Sequence, residues 1–322
     1  MNIQKKGYLF FLKIFFVVLF LTVTLFLNFS VKGEQQFSYL AKSFVQGKLY
    51  FLEKPLTWGD TAFFEGKYYW PLPPLPSIVL IPFVIIFDSF GKFFYQGYLQ
   101  FFLVAGVFFL IYKIAKILKY TKSDSYFWAF AFCFSSTFIG VALWSWSWNF
   151  SQVVAVFLLF LAIYEFVGRR RSFYLGLLSG FILLTRSLSS LILVLFLLNL
   201  LFVEKGNLGE KSIKLFKIVI PFFISLMIFF VYNSLRFGNI FEMGYSMQNI
   251  PEVSEKARSY GVFSLLHVPG NIYYFLLSPP IPIFRDGLSA VLKFPYISAN
   301  PWGLGIIFTS PYLIYLFFIE YK

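Results

Sequence analysis

Residues 59–87 read "GDTAFFEGKYYWPLPPLPSIVLIPFVIIF". The stretch opens on a carboxylate and a run of aromatics, passes four prolines in the six positions 71–76, and closes on an apolar run from Ser77 to Phe87. That run has only 11 residues, is interrupted by Pro82 and is stopped by Asp88. A hydrophobic segment this short is interfacial or re-entrant rather than spanning, because a bilayer core takes about 20 residues of helix. Lysine and arginine collect in cytoplasmic loops, which gives an independent test. If 77–87 crossed, the ladder Lys113, Lys116, Lys119 and Lys122 would fall outside. If it lies flat, the next helix delivers that ladder to the cytoplasm. The same count then places "GRRRS" (168–172) and the Lys205/Lys211/Lys214/Lys217 loop there as well. One decision makes every short basic loop cytoplasmic, and we adopt it.

Composition agrees. The 322 residues are 59% hydrophobic and only 13% charged, against about a quarter charged in soluble domains. The apolar runs are continuous, not alternating with period two as in a transmembrane barrel. The expected fold class is therefore an all-α polytopic membrane protein. The net charge of +13 belongs to the cytoplasmic loops and calls for no nucleic acid. One cysteine, Cys133, and one histidine exclude a disulfide framework and a His/Cys zinc site.

The expected path has about eight spans, near 8–29, 93–112, 126–143, 152–167, 173–186, 188–203, 215–235 and 303–319, in one transmembrane domain over 1–322. The first is longer than a signal-peptide core and lacks a small-x-small cleavage site, so it is read as an uncleaved span with a cytoplasmic N-terminus. The chain stops at "LIYLFFIEYK", barely past a helix end, and a C-terminal continuation is expected. Two long segments lie outside, 30–92 and 236–302, and they hold nine of the fourteen acidic residues. In the first, Phe37, Leu40, Ala41, Phe44 and Val45 recur at helical spacing, which predicts an amphipathic helix ending at Gly47. Glu34 stands just ahead of it, where a carboxylate can also stabilise a helix N-terminus. In the second, Leu265–Leu277 is too short and broken to span and is placed along the surface. Glu165, near "GRRR", is expected to pair with those arginines.

Three stretches carry a resemblance. "EQQFSYLAKSFVQGKLYF" (34–51) follows the first span. "EGKYYWPLPPLPSIVLIPF" (65–83) leads into a proline-rich juxtamembrane helix, and "GLLSGFILLTRSLSSLILVLFLL" (176–198) brackets a basic residue. The arrangement resembles the GT-C membrane glycosyltransferases, which use polyprenyl-phosphate sugars and include protein O-mannosyltransferases and the aminoarabinose transferases of lipid A. The resemblance implies a GT-C-like bundle with external juxtamembrane helices, in the cell membrane. It also implies inverting transfer at the outer face from a polyprenyl-phosphate sugar to a glycan, lipid or protein acceptor.

A carboxylate of the first external loop would deprotonate the acceptor hydroxyl. The family usually opens this loop with aspartate, often as an acidic pair, whereas this chain has Glu34 followed by Gln35. Asp60, between Trp58 and Phe63/Phe64, is the second candidate and is favoured here, since an apolar wall raises a carboxyl toward neutrality. The other acid would help hold a divalent metal or orient the acceptor. The leaving lipid phosphate needs cationic donors, for which the candidates are Lys67, Arg186, Arg258, His267 and Arg285. Arg186 is the most informative, because an arginine between apolar helices is costly without a partner. Tyr68, Tyr69 and Trp70 fit sugar stacking. Trp144, Trp146 and Trp148 fit an interfacial aromatic belt. The competing reading is a lipid or polysaccharide transporter or flippase, which would also use broken helices. It expects inverted repeats and mid-membrane acids, and neither is seen in the sequence.

Overall fold

The computed structural model describes residues 3–53, 59–250, 252–262, 264–286 and 290–318. Trp58, expected to wall Asp60, lies outside the described residues. The chain is mostly helical, and among the described residues three helices are long and apolar enough to cross a membrane: Gly97–Ile117, Ser147–Val167 and Leu208–Phe237. It divides into two compact units, Met1–Ala129 with Gly140–Ile250, and Phe130–Ile139 with Pro251–Lys322.

Chain order runs α1 (Ile3–Ser30), α2 (Gln36–Val45), β1 (Ala62–Phe64), β2 (Lys67–Tyr69), α3 (Leu75–Ser89) and α4 (Gly97–Ile117). There follow α5 (Lys122–Phe134), α6 (Phe138–Leu143), α7 (Ser147–Val167), α8 (Ser172–Leu183), α9 (Ile192–Leu198) and α10 (Leu208–Phe237). In the first unit α1 packs on α4, α4 on α7, α7 on α8, and α8 on α10.

The amphipathic helix forms where its spacing predicts. Phe37, Leu40 and Ala41 of α2 are fully buried against α3. Gly47, at φ +68°, closes the helix, its N–H reaching the Phe44 carbonyl and that of Lys48 the Ser43 carbonyl. This is the glycine-dependent helix end. The proline-led run is α3, with Pro76 in its first turn, where a missing N–H costs nothing. At 15 residues it is about 22 Å long, short of the roughly 30 Å hydrocarbon core. Leu80 and Val84 are buried while Ile78, Val79, Ile85 and Ile86 are exposed, so one apolar face packs on protein and one is left outward. Its first N–H, of Leu75, donates to the Leu184 carbonyl at 2.9 Å. That bond joins α3 to the break after α8.

Helices α8 and α10 approach closely, because α8 presents Gly176 and Gly180 one turn apart, the small-residue spacing of membrane helix contacts. A Cβ on Gly176 would fall on the Ile218 carbonyl oxygen, and one on Gly180 on Ser225 Oγ. A backbone carbonyl cannot step aside as a side chain can. Gly176→Val is therefore expected to lower stability by about 1–3 kcal/mol through overpacking, read as an earlier thermal midpoint in detergent, with Gly140→Val, which meets open space, as the neutral control.

Two expected spans are broken. The 126–143 segment splits into α5 and α6 at Ser135–Thr137, where Ser136 Oγ accepts from the Phe138 N–H at 3.1 Å and so starts the second helix. The 303–319 segment is a four-residue helix, α13 (Ile306–Thr309), followed by a 3₁₀ run, Pro311–Phe318. Pro311 supplies no N–H and disfavours helix at Ser310. The rest of the second unit comprises α11 (Glu252–Arg258), α12 (Val268–Leu276) and an antiparallel hairpin of β3 (Ile281–Phe284) and β4 (Leu292–Ser298).

Candidate functional site

Glu34 lies in the link between α1 and α2 with φ +52°, and Asp60 follows Gly59 in a turn with φ +63°. Left-handed backbone at a non-glycine residue costs on the order of 1–3 kcal/mol and persists only where the surroundings dictate it. At Glu34 those surroundings are a set of amides at the start of α7. The Glu34 carbonyl accepts from the Ser147 N–H at 3.0 Å and from Gln96 Nε2 at 3.1 Å. Gln35 Oε1 accepts from the Gln96 N–H at 2.9 Å, and the Gln36 N–H donates to Ser147 Oγ at 2.8 Å. Gln35, Gln36, Gln96 and Ser147 are all buried. Buried polar groups that are mutually satisfied make a rigid seat. The Glu34 side chain does not cap α2, whose N-cap residue is Gln35 with no side-chain bond.

At Asp60 the seat is the strand-like segment 248–249. The Asp60 N–H donates to the Asn249 carbonyl at 3.1 Å, the Asn249 N–H donates to the Thr61 carbonyl at 3.0 Å, and Ala62 bridges Gln248. Gly244, at φ +96°, lets the chain turn back onto this hairpin, since a Cβ there would meet the Phe237 ring and Ala62.

The two carboxylates differ in their bonds. Asp60 Oδ2 accepts from the Trp148 indole N–H at 2.9 Å, and Gln248 Nε2 lies 3.3 Å from Oδ1 and donates to the Asp60 carbonyl at 2.9 Å. The Glu34 carboxylate has no hydrogen bond among the described residues. Partial burial, and secondly the charge of Asp60, raise its pKa above the usual glutamate value. Thus Asp60 is close enough to oppose the ionisation of Glu34. Among the described residues no cluster of three His, Cys, Asp or Glu side chains is poised to hold a metal, and both Asp60 oxygens already face neutral donors.

Trp148 joins this pair to Arg186. Its indole serves Asp60, while its carbonyl accepts from Arg186 Nη2 at 2.9 Å and its ring lies 5.1 Å from the guanidinium. Arg186 lines a cavity of about 320 Å³ with Gln152, Val156, Leu159 and Ser189. Its Nε is buried without a partner. No carboxylate forms an ion pair with it among the described residues. Tyr245 stands between two cations: burial raises its phenol, and Arg186 and Arg236 pull it down.

Arg236, near the end of α10, is 3% exposed and fully engaged. Nη1 donates to the Trp70 carbonyl at 2.7 Å, Nη2 to Asn233 Oδ1 at 2.8 Å and Nε to the Tyr232 carbonyl at 3.3 Å, with the Tyr232 ring 3.8 Å away. It clamps α10 to the end of β2.

The remaining sequence-predicted residues fall elsewhere. Trp70 is fully buried, packed edge-on to Phe37 and Trp148, and Tyr69 is buried against Phe237. Both are core residues, whereas Tyr68, the third ring of the set, is 37% exposed beside Phe63. Lys67 is exposed, its Nζ 4.8 Å from the Tyr50 ring. Arg258, His267 and Arg285 belong to the second unit. There His267 Nε2 bonds the Gly261 carbonyl oxygen at 2.9 Å, the Arg285 N–H donates to the Val291 carbonyl, and Arg258 ends α11. Glu165 pairs with Arg171 at 2.7 Å, as its position implied. Trp144 and Trp146 are exposed and stacked, in keeping with a belt, whereas Trp148 turns inward.

Sequence reasoning missed Arg236, Tyr245 and Gln248 and placed Trp148 in the belt. The signal for Arg236 was a cation closing an apolar helix one turn after Asn233. No protein-family model matches the chain, and neither a curated protein nor a solved structure matches it.

Proposed function

We propose that the chain is a membrane glycosyltransferase that moves a sugar from a polyprenyl-phosphate donor to an acceptor hydroxyl, with Glu34 as general base. The observation that carries the reading is the chain of contacts from Glu34, an unbonded, partly buried carboxylate of raised pKa, through its neighbour Asp60 and the Trp148 that Asp60 holds, to Arg186, a cavity-lining cation without an acidic partner among the described residues. Glu34 is preferred to Asp60 because Asp60 already accepts two donors. Asp60 keeps Trp148 in place and, by its charge, holds Glu34 basic enough to take a proton.

In this reading Glu34 takes the acceptor O–H proton as that oxygen attacks the anomeric carbon on the face opposite the phosphate. The C–O bond to the phosphate breaks, and its electron pair leaves on the phosphate oxygen. Arg186 stabilises that developing charge, where preorganised donors do most. Arg236 serves no such role, since it is 3% exposed and each of its three nitrogens already donates to a backbone or amide oxygen.

The topology belongs to the proposal. About eight crossings place the N-terminus and the basic turns in the cytoplasm, and α2, the hairpin and α3 on the outer leaflet. The half-exposed apolar face of α3 supports this, for it suits a helix lying at the lipid boundary.

The test uses the full chain in proteoliposomes with a polyprenyl-phosphate sugar labelled in the sugar. Transfer predicts label in an acceptor and stoichiometric free polyprenyl phosphate. Intact donor recovered in the opposite leaflet, with no phosphate lipid released, would instead establish the flippase.

A further inference from the structure

Along α10, on the side facing away from α8, Phe223, Ile224, Met227, Ile228, Val231 and Leu235 form an open groove. It has a volume of about 430 Å³, and Leu49 and Tyr232 complete its wall. Phe223, Ile224 and Ile228 are exposed large hydrophobics, as a lipid-facing helix requires. From Phe223 to Leu235 the helix rises about 18 Å, close to half of the roughly 30 Å hydrocarbon core, which is the depth of one leaflet.

The groove is not uniform along its length. At the Leu235 end the ring of Tyr232, 6% exposed, closes the wall. Beside it Leu49 enters from the loop after α2, flanked by exposed Lys48 and by Tyr50, whose ring lies 4.8 Å from Lys67 Nζ. Apolar walls of one-leaflet depth and two cations at one end match the two ends of an anionic phospholipid, chain and headgroup.

We propose that this groove binds an anionic membrane phospholipid. One acyl chain lies along Phe223–Val231, and the phosphate sits between Lys48 and Lys67. The inference requires only that α10 spans the membrane, so it stands apart from the transferase reading. It also gives Lys67 an anion other than the donor phosphate.

The probe is phosphatidylglycerol carrying a photoreactive diazirine in one chain, compared with phosphatidylcholine of identical chains, each reconstituted with the full chain. Cross-linked peptides are mapped by mass spectrometry. Labelling is expected to concentrate on 223–235 and 44–50 and to favour phosphatidylglycerol. Removing each lysine by Lys48→Gln or Lys67→Gln is expected to cost about fivefold of that preference, the worth of one lysine near an anionic surface. Ile228→Trp, which fills the groove, is expected to abolish the focus for both lipids while size-exclusion elution stays unchanged. Equal labelling by the two lipids, or labelling spread evenly over α1 and α10, would overturn the proposal and leave ordinary boundary lipid in its place.

Discussion

Glu34→Gln is expected to reduce transfer by roughly 10²- to 10⁴-fold, the usual worth of a positioned general base, while leaving donor binding intact. Glutamine keeps the size of the side chain and can remain on the same seat, because what fixes residue 34 is its backbone carbonyl held by Ser147 and Gln96. Only the proton acceptor is lost. The pH profile separates this role from a structural one. Burial first, and Asp60 second, raise the Glu34 pKa, so the rise of kcat/KM with pH should lie above the ordinary glutamate range. Asp60→Asn removes the second cause and should move that rise to lower pH, with less than about tenfold loss in rate. A loss from Asp60→Asn as large as that from Glu34→Gln would instead make Asp60 the base.

The same substitution has a stability consequence of definite sign. A carboxyl whose folded pKa is raised favours the protonated form, so ionising it costs stability. That cost is absent below the unfolded value and complete above the folded one. At neutral pH Glu34→Gln should therefore melt later than the parent protein, the expected mark of a site where function is held against stability.

How much of this was readable beforehand depends on the range of the interactions. The periodicity of Phe37, Leu40 and Ala41, the shortness of the 77–87 run and the Glu165–Arg171 pair are local features, and each appears where the sequence placed it. Asp60 meets Trp148 and Gln248 across 88 and 188 positions, and no window of sequence contains both partners. Composition also misled, because in a chain that is 24% aromatic a buried ring and a ligand-facing ring look alike. Trp70 fits a stacking platform in the sequence, yet it is fully buried. The breaks at Ser136 and Pro311 had local signals, a capping serine and a proline, but uninterrupted hydropathy outweighed them.

Arg236→Met is the second substitution with a large expected effect, and it acts on the scaffold. Methionine can fill much of the stem's volume, so the loss is of hydrogen bonds and not of packing. The Trp70 carbonyl and Asn233 Oδ1 lose their guanidinium donor in a region that is already buried. An unmade bond at a buried group costs about 1–3 kcal/mol, and removing a buried cation returns part of its desolvation cost. A net loss of about 2–4 kcal/mol is expected, seen as a lower unfolding midpoint. Arg236→Lys should recover little, because a single ammonium cannot serve two oxygens in the planar fork that Arg236 presents. The effect should reach activity through position. Trp70 directly follows β2, the strand that pairs β1, and β1 begins two residues after Asp60. Freed from α10, the hairpin would let Asp60 drift from Trp148, and kcat should fall further than donor affinity. Full stability with full activity in Arg236→Met would show that the Tyr69–Phe237 contact and the bonds to segment 248–249 hold the hairpin without it, and that the buried guanidinium is dispensable to the scaffold.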